Sequence, residues 1–353
     1  MVNILEDEFK CFVFCCANDL GQTFPLESVK VNQWNDYLED GKIFYCGFDL
    51  IVSLRMVFRF VNPDIVYING MFSVGYNILP LILAKWFKRR VVLSPRGMLQ
   101  SGALEIRPLK KRWFLRLLRF LGTYDNIQWH ATNNQESDDI ERIFGKACVI
   151  RIAANIPMNP AIVPAMKVKE QGKLRMIYLS LITEKKGLHL ALEAMVLIDV
   201  PVVFHIYGPV KDEPYWKKCQ ILIRELSHVH SIQFYGPIPP TEVHFRLSEY
   251  HVMILPTKGE NFGHAIYESL SIGTPVILSK HTPWGYLQDR EAGLTMDSED
   301  KKEWTNAIRK FIDCDQLKYD QLSRGAHKLA SDYFSSNDFV TQYRNLFSSH
   351  RLL

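Results

Sequence analysis

Short runs of β-branched and apolar residues alternate along the chain with longer segments of helical periodicity. This alternation is typical of parallel sheets covered by helices. It predicts strands at 10–16, 64–69, 90–94, 129–131, 147–152, 174–180, 202–207, 232–235, 251–255 and 275–278. It also predicts a helix at 187–196 and a helical segment from residue 300 onward. We therefore predict an α/β fold.

Prolines interrupt the pattern near the middle of the chain, at Pro157, Pro160 and Pro164. Such a segment is typical of a linker. A chain of 353 residues is also long enough for two α/β domains, each with its own core. We predict a first domain at residues 1–155 and a second at 156–335, with a C-terminal helix at 336–353 that packs back on the first.

In the second half, each predicted strand ends in a loop of small or polar residues. These loops are 181–186, 208–209, 236–237, 256–263 and 279–285. In open α/β sheets, ligands bind at the carboxyl ends of the strands. We therefore expect the five loops to converge on one edge of a sheet and to form a ligand site there.

The composition excludes several classes of protein. The chain has 42 Lys and Arg against 38 Asp and Glu, a net charge of +4. A nucleic-acid-binding protein normally carries a larger and clustered basic excess, so we expect no nucleic-acid partner. The seven cysteines form no C-x-x-C pair and no Cys/His cluster with metal spacing. This favours reduced thiols in a cytoplasmic protein and no metal site.

The N-terminal residues 1–8 are acidic, whereas a signal peptide begins basic and continues apolar. No apolar run has the length that a membrane-spanning helix needs. We expect a cytoplasmic protein that does not span a bilayer.

The segment 256–270 predicts a strand end, a loop and the start of a helix. Free backbone N–H groups at Gly263, His264 and Ala265, together with the helix dipole, suit a diphosphate. Glu268 lies about one turn into this helix, where an ionised carboxylate can accept hydrogen bonds from ribose hydroxyls. Glu260 lies where a sugar attached to the diphosphate would be. Glu268 alone would equally fit a solvated helix face.

The whole stretch from Pro256 to Ile277 resembles the retaining glycosyltransferases of family 4, with their Glu-x7-Glu motif. The resemblance continues at 282–284 (Thr-Pro-Trp) and 292–294 (Ala-Gly-Leu), as in enzymes that build bacterial exopolysaccharide and lipopolysaccharide. It implies a GT-B fold, in which two Rossmann-like domains with parallel sheets face a central cleft.

The resemblance also implies roles for particular residues. Glu268 would bind the ribose hydroxyls, Glu260 the hydroxyls of the donor sugar, and Lys186 the leaving diphosphate. The segment 235–238 resembles the loop that holds the nucleotide base through its backbone, although a plain strand-ending turn explains it equally well. The full set of expected donor-binding residues is Glu268, Phe262, Gly263, His264, Ala265, Tyr235, Gly236, Ile238, Gly208 and Thr257, with Glu260, Lys186 and Arg96 as catalytic residues.

One departure from the family concerns the diphosphate. Family members commonly have an arginine five positions before the lysine, and here that position is Leu181. An arginine would supply charge-assisted hydrogen bonds to phosphate. Either another base, such as Lys185 or Arg96, replaces it, or donor turnover is slow or lost.

The N-terminal half resembles the family at 63–70, 94–99 and 130–133, with Glu136. The resemblance places the loop 94–99 on the acceptor side of the cleft. The expected acceptor-side residues are Arg96, Gly97, Asn69 and His130. A surface arginine beside a turn remains the alternative for Arg96, and a core histidine is equally consistent with His130.

A second departure concerns the first strand. Relatives begin with a strand and a glycine-rich loop, whereas Met1 falls where the following helix should already be running. We therefore predict that the first strand of the N-terminal domain is missing.

A basic, aromatic helix is predicted from Arg107 to Phe120, with a second basic cluster at 85–90. Together they predict a patch that contacts an anionic bilayer at the cytoplasmic membrane face. The alternative is that the apolar side chains pack inward while Lys and Arg are solvated.

The resemblance predicts transfer of a hexosyl group from a UDP- or GDP-linked sugar to a hydroxyl of a lipid-linked glycan or oligosaccharide, without a cofactor or metal. A sugar-nucleotide epimerase of the same fold and an inactive partner subunit are the alternatives. A dinucleotide-dependent oxidoreductase is disfavoured because no G-x-G-x-x-G follows a predicted strand.

Overall fold

The helices and strands group into two compact units, one formed by Met1–Ile156 with Asp338–Leu353 and the other by Pro157–Asn337. The computed structural model describes residues 1–348 apart from 6, 19–23, 27–28, 38–40, 48, 105–107, 121, 162–166 and 298–299. Arg107, the predicted start of the basic helix, therefore lies outside the described residues. We refer to the two groups as unit 1 and unit 2.

The strands of unit 1 are β1 (Phe12–Cys16), β2 (Trp34–Tyr37), β3 (Gly41–Cys46), β4 (Ile65–Asn69), β5 (Arg90–Ser94), β6 (Gln128–Ala131) and β7 (Val149–Ile152). Its helices are α1 (Val2–Leu5), α2 (Leu50–Val61), α3 (Leu79–Trp86), α4 (Ser101–Leu104), α5 (Pro108–Phe120) and α6 (Asn134–Phe144). A last helix of this unit, at Phe339–Phe347, comes from the end of the chain.

The strands of unit 2 are β8 (Leu174–Leu179), β9 (Val202–Tyr207), β10 (Ser231–Gly236), β11 (Val252–Leu255), β12 (Val276–Ser279) and β13 (Gly293–Met296). Its helices are α7 (Leu188–Met195), α8 (Glu213–Leu226), α9 (Val243–Ser248), α10 (His264–Ser271), α11 (Lys301–Ile312) and α12 (Gln316–Ser336). The C-terminal helix Phe339–Phe347 is α13.

Unit 2 is built on one parallel sheet with the strand order β10-β9-β8-β11-β12-β13. In chain order this reads 3-2-1-4-5-6, the order of a doubly wound Rossmann sheet. Strands β11 and β12 are buried along their whole length, because helices cover both faces. This explains why they read as continuous apolar runs in the sequence.

Unit 1 contains two separate sheets. Strands β4, β5, β6 and β7 form a parallel sheet in that order. In the second sheet, β3 pairs in parallel with β1 and antiparallel with β2. Helix α13 packs on α1 and contributes Leu346 and Phe347 to a cluster with Leu5 and Val92.

Three strands were missed by the hydrophobic pattern. Strand β2 has the polar sequence Trp-Asn-Asp-Tyr, and β3 lies only partly buried beside it. Strand β13 has only four residues, begins with a glycine and pairs on one side only, at the edge of the sheet. Neither β2 nor β13 has the apolar run or regular alternation that marks a strand.

A different expectation, that the first strand of the N-terminal domain is missing, stays a prediction.

Candidate functional site

The strand order of unit 2 reverses between β8 and β11, which pair directly. In a doubly wound sheet the helices after these two strands lie on opposite faces, so a crevice opens at their carboxyl ends. The loop after β8 contains Lys186, and the loop after β11 contains Glu260. Two of the residues predicted to be catalytic thus lie at the switch point.

Glycines let these loops approach one another closely. Gly187 has φ +69°, and a Cβ there would lie 2.0 Å from the carbonyl oxygen of Pro256. Gly208 has φ +134°, and a Cβ would lie 1.8 Å from the carbonyl oxygen of Ser180. Any larger residue would push the strand-end loops apart.

Hydrogen bonds connect the remaining loops. The amide of Gly208 donates to Gly236 O at 2.8 Å, and the amide of Glu260 donates to His281 O at 3.0 Å. The loops after β8, β9, β10, β11 and β12 are therefore joined at one edge, as the sequence predicted.

Lys186 and Glu260 form an ion pair between Nζ and Oε1 across the switch point. Both side chains are largely buried, with 16% and 13% of their surface exposed. The fully buried Tyr178 holds the loop that contains Lys186, because its hydroxyl donates a hydrogen bond to Leu181 O at 3.1 Å. A close and partly desolvated pair of this kind holds both charged groups in one place. Sequence reasoning identified both charges but not their pairing or the tyrosine.

The helices that start in these two loops lack side-chain caps. Helix α7 follows Gly187 and α10 follows Gly263, and both glycines are left-handed and offer no capping side chain. In contrast, α8, α11 and α12 are each capped by an aspartate, at Asp212, Asp300 and Asp315. An aspartate would repel an anion, whereas an uncapped N-terminus with its dipole attracts one.

Glu268 lies in the second turn of α10 and is partly buried. Its carboxylate makes no hydrogen bond or ion pair to any residue that the structure describes. Burial raises the pKa of this carboxyl to about 7. A buried carboxylate without a partner is costly for the fold and is typical of a ligand site.

Tyr235 and Gly236 lie at the end of β10, in the loop predicted to hold a base. Half of the Tyr235 surface is exposed, and its ring stacks on Tyr207 at 5.0 Å with 9° between the planes. Ile238 packs against the core of the unit. The loop therefore presents one accessible aromatic ring, whereas Gly236 is buried and its carbonyl oxygen accepts from the Gly208 amide.

The structure corrects two expectations for donor-binding side chains. Thr257 is fully buried, and its hydroxyl bonds inward to Lys185 O and Gly259 O, so it joins loops and is not accessible to a ligand. The Phe262 ring is also buried, and Phe262 O accepts from Trp284 Nε1 at 2.7 Å. Both residues shape the loop before α10. His264 is exposed, and Ala265 packs against the core.

In unit 1, the predicted acceptor-side residues converge around Arg96. Its Nε donates to Asn69 Oδ1 at 3.1 Å, one terminal nitrogen donates to Asn155 Oδ1 at 2.6 Å and the other to Tyr67 OH at 3.1 Å. All three acceptors are neutral. Arg96 has φ +54°, a left-handed conformation that is rare for a residue with a side chain. The turn therefore holds the guanidinium in a fixed place at the ends of β4 and β5.

His130 is fully buried, which matches the core-histidine alternative and not direct contact with an acceptor. Burial, with a smaller contribution from the Arg96 cation, lowers its pKa to about 4. Nε2 lies 2.9 Å from Ala153 O, which can only accept, so Nε2 carries the proton. Nδ1 then accepts from Tyr67 OH at 2.7 Å, and the Tyr67 oxygen accepts from Arg96. His130 thus orients the arginine indirectly.

Gly97 is buried, and its amide donates to Glu136 Oε1 at 2.6 Å. The other oxygen of Glu136 accepts from the amide and the hydroxyl of Thr132, at 2.8 and 2.7 Å. The Gly97 amide is therefore used within unit 1, and the placement of Gly97 on the acceptor side stays a prediction. Glu136 was quoted only as part of the resemblance, and its role in holding the Arg96 turn was not foreseen.

In the described part of the chain, no three His, Cys, Asp or Glu side chains are grouped so that they could hold a metal ion. Among the same residues, no helix combines the length and apolar character needed to cross a membrane.

Comparison with known protein families gives a match that covers most of unit 2. Residues 164–329 match the family model described as Glycosyl transferases group 1. A glycosyltransferase of Salmonella typhimurium named for colanic acid biosynthesis, WcaL, is 29% identical over 176 residues. That stretch is 47% of this chain and 43% of the relative, so less than half of the relative's length is matched. The family match and such relatives support a transferase enzyme.

Solved structures match most of the chain. Sucrose-phosphate synthase from Thermosynechococcus elongatus gives a TM-score of 0.75 at 16% identity, over 98% of this chain and 90% of that one. Anabaena HepE in complex with UDP-glucose gives a TM-score of 0.67 at 17% identity, over 86% and 84% of the two chains. These likenesses confirm the predicted α/β fold of GT-B type with two Rossmann-like domains.

Proposed function

We propose that this chain transfers a hexosyl group from a nucleoside diphosphate sugar to a hydroxyl of a glycan, with retention of configuration at the anomeric carbon. The observation that carries the proposal is the arrangement at the switch point of unit 2. There an uncapped helix N-terminus, a buried Lys186–Glu260 pair and an unpaired Glu268 follow β8 and β11. Each group fits one part of such a donor.

The diphosphate would bind at the N-terminus of α10, which has no side-chain cap, and to Lys186, so that the positive end of the helix dipole and a cation both face it. Glu268 would accept hydrogen bonds from two ribose hydroxyls, which would give its carboxylate the partners it lacks. The base would lie against the loop at Tyr235 and Gly236. Glu260 would contact the sugar hydroxyls. HepE was solved with UDP-glucose, which supports a UDP-linked donor here, with GDP as the alternative.

The reaction needs no nucleophile from the protein. The bond between the anomeric carbon and the diphosphate oxygen breaks, and the acceptor oxygen bonds to that carbon from the same face. The acceptor proton passes to the departing phosphate oxygen. The protein's main task is to stabilise the negative charge on the diphosphate, which Lys186 and the α10 N-terminus would do without a metal.

The acceptor we propose is a lipid-linked glycan in cell-surface polysaccharide synthesis. The match to a relative named for colanic acid biosynthesis supports a polysaccharide product. Arg96, held by Asn69, Asn155 and Tyr67, would face the acceptor. Helix α5 would contact the cytoplasmic face of the membrane, where such an acceptor lies.

A specific observation also favours a second candidate, a partner subunit that binds a donor without turnover. Position 181 is a leucine, so the loop after β8 lacks the arginine that would pair with Lys186 on the diphosphate. Lys186 itself is already paired with Glu260. The charge that would stabilise the leaving group is therefore smaller than in a site with two cations.

A screen of UDP- and GDP-sugars, read by binding and by slow donor hydrolysis, tests the proposal. Lys186→Ala should reduce hydrolysis about 100-fold, a typical effect of removing one stabilising group. Lys217→Ala, at an exposed position on α8, is the matched control and should change nothing. Binding and hydrolysis that are equal in both variants would contradict the donor site.

Leu181→Arg separates the two candidates. If the chain is an active enzyme with a weakened clamp, the added arginine should raise turnover. Tight donor binding with no turnover in either form, even with a range of acceptors, would favour the partner subunit.

A further inference from the structure

The outward faces of three helices in unit 1 have an unusual composition. Every exposed side chain that the structure describes on α2, α3 and α5 is either apolar or basic. The exposed apolar residues are Ile51, Val52, Met56, Phe60, Ile82, Trp86, Leu109, Trp113, Leu117 and Phe120. The exposed basic residues are Arg55, Arg59, Lys85, Lys110, Arg116 and Arg119. We call this set the apolar-basic face.

A helix of the same length in unit 2 shows the contrast. Helix α11, like α2, has 12 residues and buries an apolar side. Its exposed residues are Lys301, Lys302, Glu303, Asn306, Arg309 and Lys310, with no apolar side chain among them. Helix α2 exposes four apolar residues and two arginines on the corresponding side. Since α2 already buries Leu54 and Phe58 in the core, its exposed apolar residues are not needed there.

Contacts join the three helices into one surface. The Arg55 guanidinium of α2 lies 5.8 Å from the ring centroid of Trp86 on α3. Phe58 and Phe87 stack at 5.8 Å beneath them. Lys85 Nζ, next to Trp86, donates to Gly122 O at 2.9 Å, just beyond the end of α5. Helix α3 therefore contacts α2 and the turn that follows α5, which places the exposed residues of the three helices in one region of unit 1.

We propose that the apolar-basic face docks on an anionic lipid bilayer. The two rings Trp86 and Trp113, 71% and 68% exposed, are of the type that sits at the boundary between headgroups and acyl chains. Aliphatic and Phe side chains enter the acyl region, and the six cations attract anionic headgroups. This proposal extends the contact of α5 to α2 and α3, and it does not depend on the transferase reaction.

Two other partners, a second copy of this chain and a nucleic acid, fit the apolar-basic face less well than a bilayer does. A second copy of this chain would place six cations against six cations, without a described acidic residue on these helices to neutralise them. A nucleic acid would accept the cations, but the aliphatic side chains Ile51, Val52 and Leu109 offer no surface on which bases stack. A bilayer satisfies both the charge and the aliphatic surface.

Flotation of the full chain with lipid vesicles tests the proposal. We expect binding to vesicles of phosphatidylcholine mixed with phosphatidylglycerol and little binding to phosphatidylcholine alone. Trp113→Ser with Phe120→Ser should abolish binding, because these side chains are 68% and 87% exposed and supply insertion. Neutralising Arg55 or Arg116 with Gln should weaken partitioning about fivefold each. Raising the salt from roughly 0.1 to 1 M should weaken it further.

Leu317→Ser is the matched control, because Leu317 is 69% exposed on α12 of unit 2. It should leave vesicle binding unchanged. The proposal is wrong if neutral and anionic vesicles bind equally, or if Trp113→Ser with Phe120→Ser binds like the unaltered chain. A dimer in light scattering, or an RNA complex in a gel shift, that the same pair of changes abolishes would assign the face to those partners.

Vesicle binding is measured without donor and sugar-nucleotide binding without lipid. Intact donor binding in the Trp113 and Phe120 variant would show that unit 2 is unaffected, and an unchanged thermal unfolding curve would show that unit 1 is folded. Failure of the membrane proposal is therefore distinguishable from failure of the proposed reaction.

Discussion

Two carboxylates, one in each unit, lie early in a helix that follows a strand end, and their surroundings are opposite. Glu136 in α6 is only 1% exposed and accepts three hydrogen bonds, from the Gly97 amide and from the Thr132 amide and hydroxyl. Glu268 in α10 is partly buried and has no partner among the described residues. Both residues are glutamates early in a helix, but only the Glu136 oxygens accept hydrogen bonds from the protein.

The difference separates a structural carboxylate from one available to a ligand. The oxygens of Glu136 are used within the protein, so it stabilises the turn that carries Arg96. The oxygens of Glu268 are unused, so its burial costs stability and raises its pKa to about 7. We infer that the role of a carboxylate near the start of such a helix is indicated by its unused acceptor oxygens more than by its position.

The largest effect is expected on stability, from Glu136→Gln. The amide nitrogen of Gln would face an N–H group of either Gly97 or Thr132, so at least one buried donor loses its acceptor. We expect the free energy of unfolding to fall by about 3 kcal/mol. Denaturant unfolding measures this. Asp138→Asn, exposed on the same helix, is the control and should cost almost nothing. Nucleotide-sugar binding should not change.

The second prediction is the reverse pattern for Glu268→Gln. A neutral amide offers one acceptor oxygen where the carboxylate offers two, so ribose recognition weakens. We expect nucleotide-sugar affinity to fall about 30-fold, or about 2 kcal/mol, with no loss of unfolding free energy. Calorimetric titration measures the affinity, and Glu225→Gln on α8 is an exposed control. If Glu268→Gln destabilises the fold while leaving binding intact, the contrast between the two carboxylates is wrong.

The sequence predicted unit 2 well because its central strands are buried on both faces. Strands β8, β9, β11 and β12 were found within one or two residues, since continuous apolar runs mark them. Strands β2 and β3 escaped detection because they are only partly buried and carry polar residues. Edge strand β13 is too short to show a period. Burial on both faces thus decided what the pattern could predict.

For the site, the sequence indicated which residue types matter but not their partners. Lys186, Glu260 and Glu268 were named from the motif, yet the ion pair joins residues 74 positions apart. Glu136 holds Gly97 across 39 positions. Thr257 was expected to bind the donor because it lies in the stretch that resembles the family, but its hydroxyl bonds inward. Such pairings depend on how the loops pack, which a single sequence does not reveal.

A third prediction uses the pKa of Glu268. Ribose hydroxyls bind the ionised carboxylate, and burial raises its pKa to about 7 in the free protein. Below this pH, binding must first remove a proton. We expect nucleotide-sugar affinity to be about tenfold weaker at pH 6 than at pH 8. The diester phosphates of a nucleotide sugar do not titrate in this range, so they do not interfere.

The pH dependence should disappear in Glu268→Gln, which has no ionisable group at this position. In the Glu136→Gln variant it should remain, because Glu136 lies in unit 1 and takes no part in donor binding. A dependence that persists in Glu268→Gln would assign the titration to another group.

The smallest effect concerns the stability cost of keeping Glu268 unpaired. A carboxyl whose pKa is raised in the folded state destabilises the fold when it is ionised. This cost is absent below the unfolded value of 4.5, grows as the pH rises toward the folded value of about 7, and is complete above it. Glu268→Gln removes the charge, so we expect it to stabilise the free protein by about 1 kcal/mol at pH 8 and by less at pH 5. Thermal unfolding at the two pH values measures this.

A saturating nucleotide sugar should make the unaltered protein the more stable of the two at pH 8, since only the carboxylate gains the ribose hydroxyls. If the two proteins melt alike at pH 8 without ligand, Glu268 has a partner in solution, and its similarity to Glu136 is closer than the structure indicates.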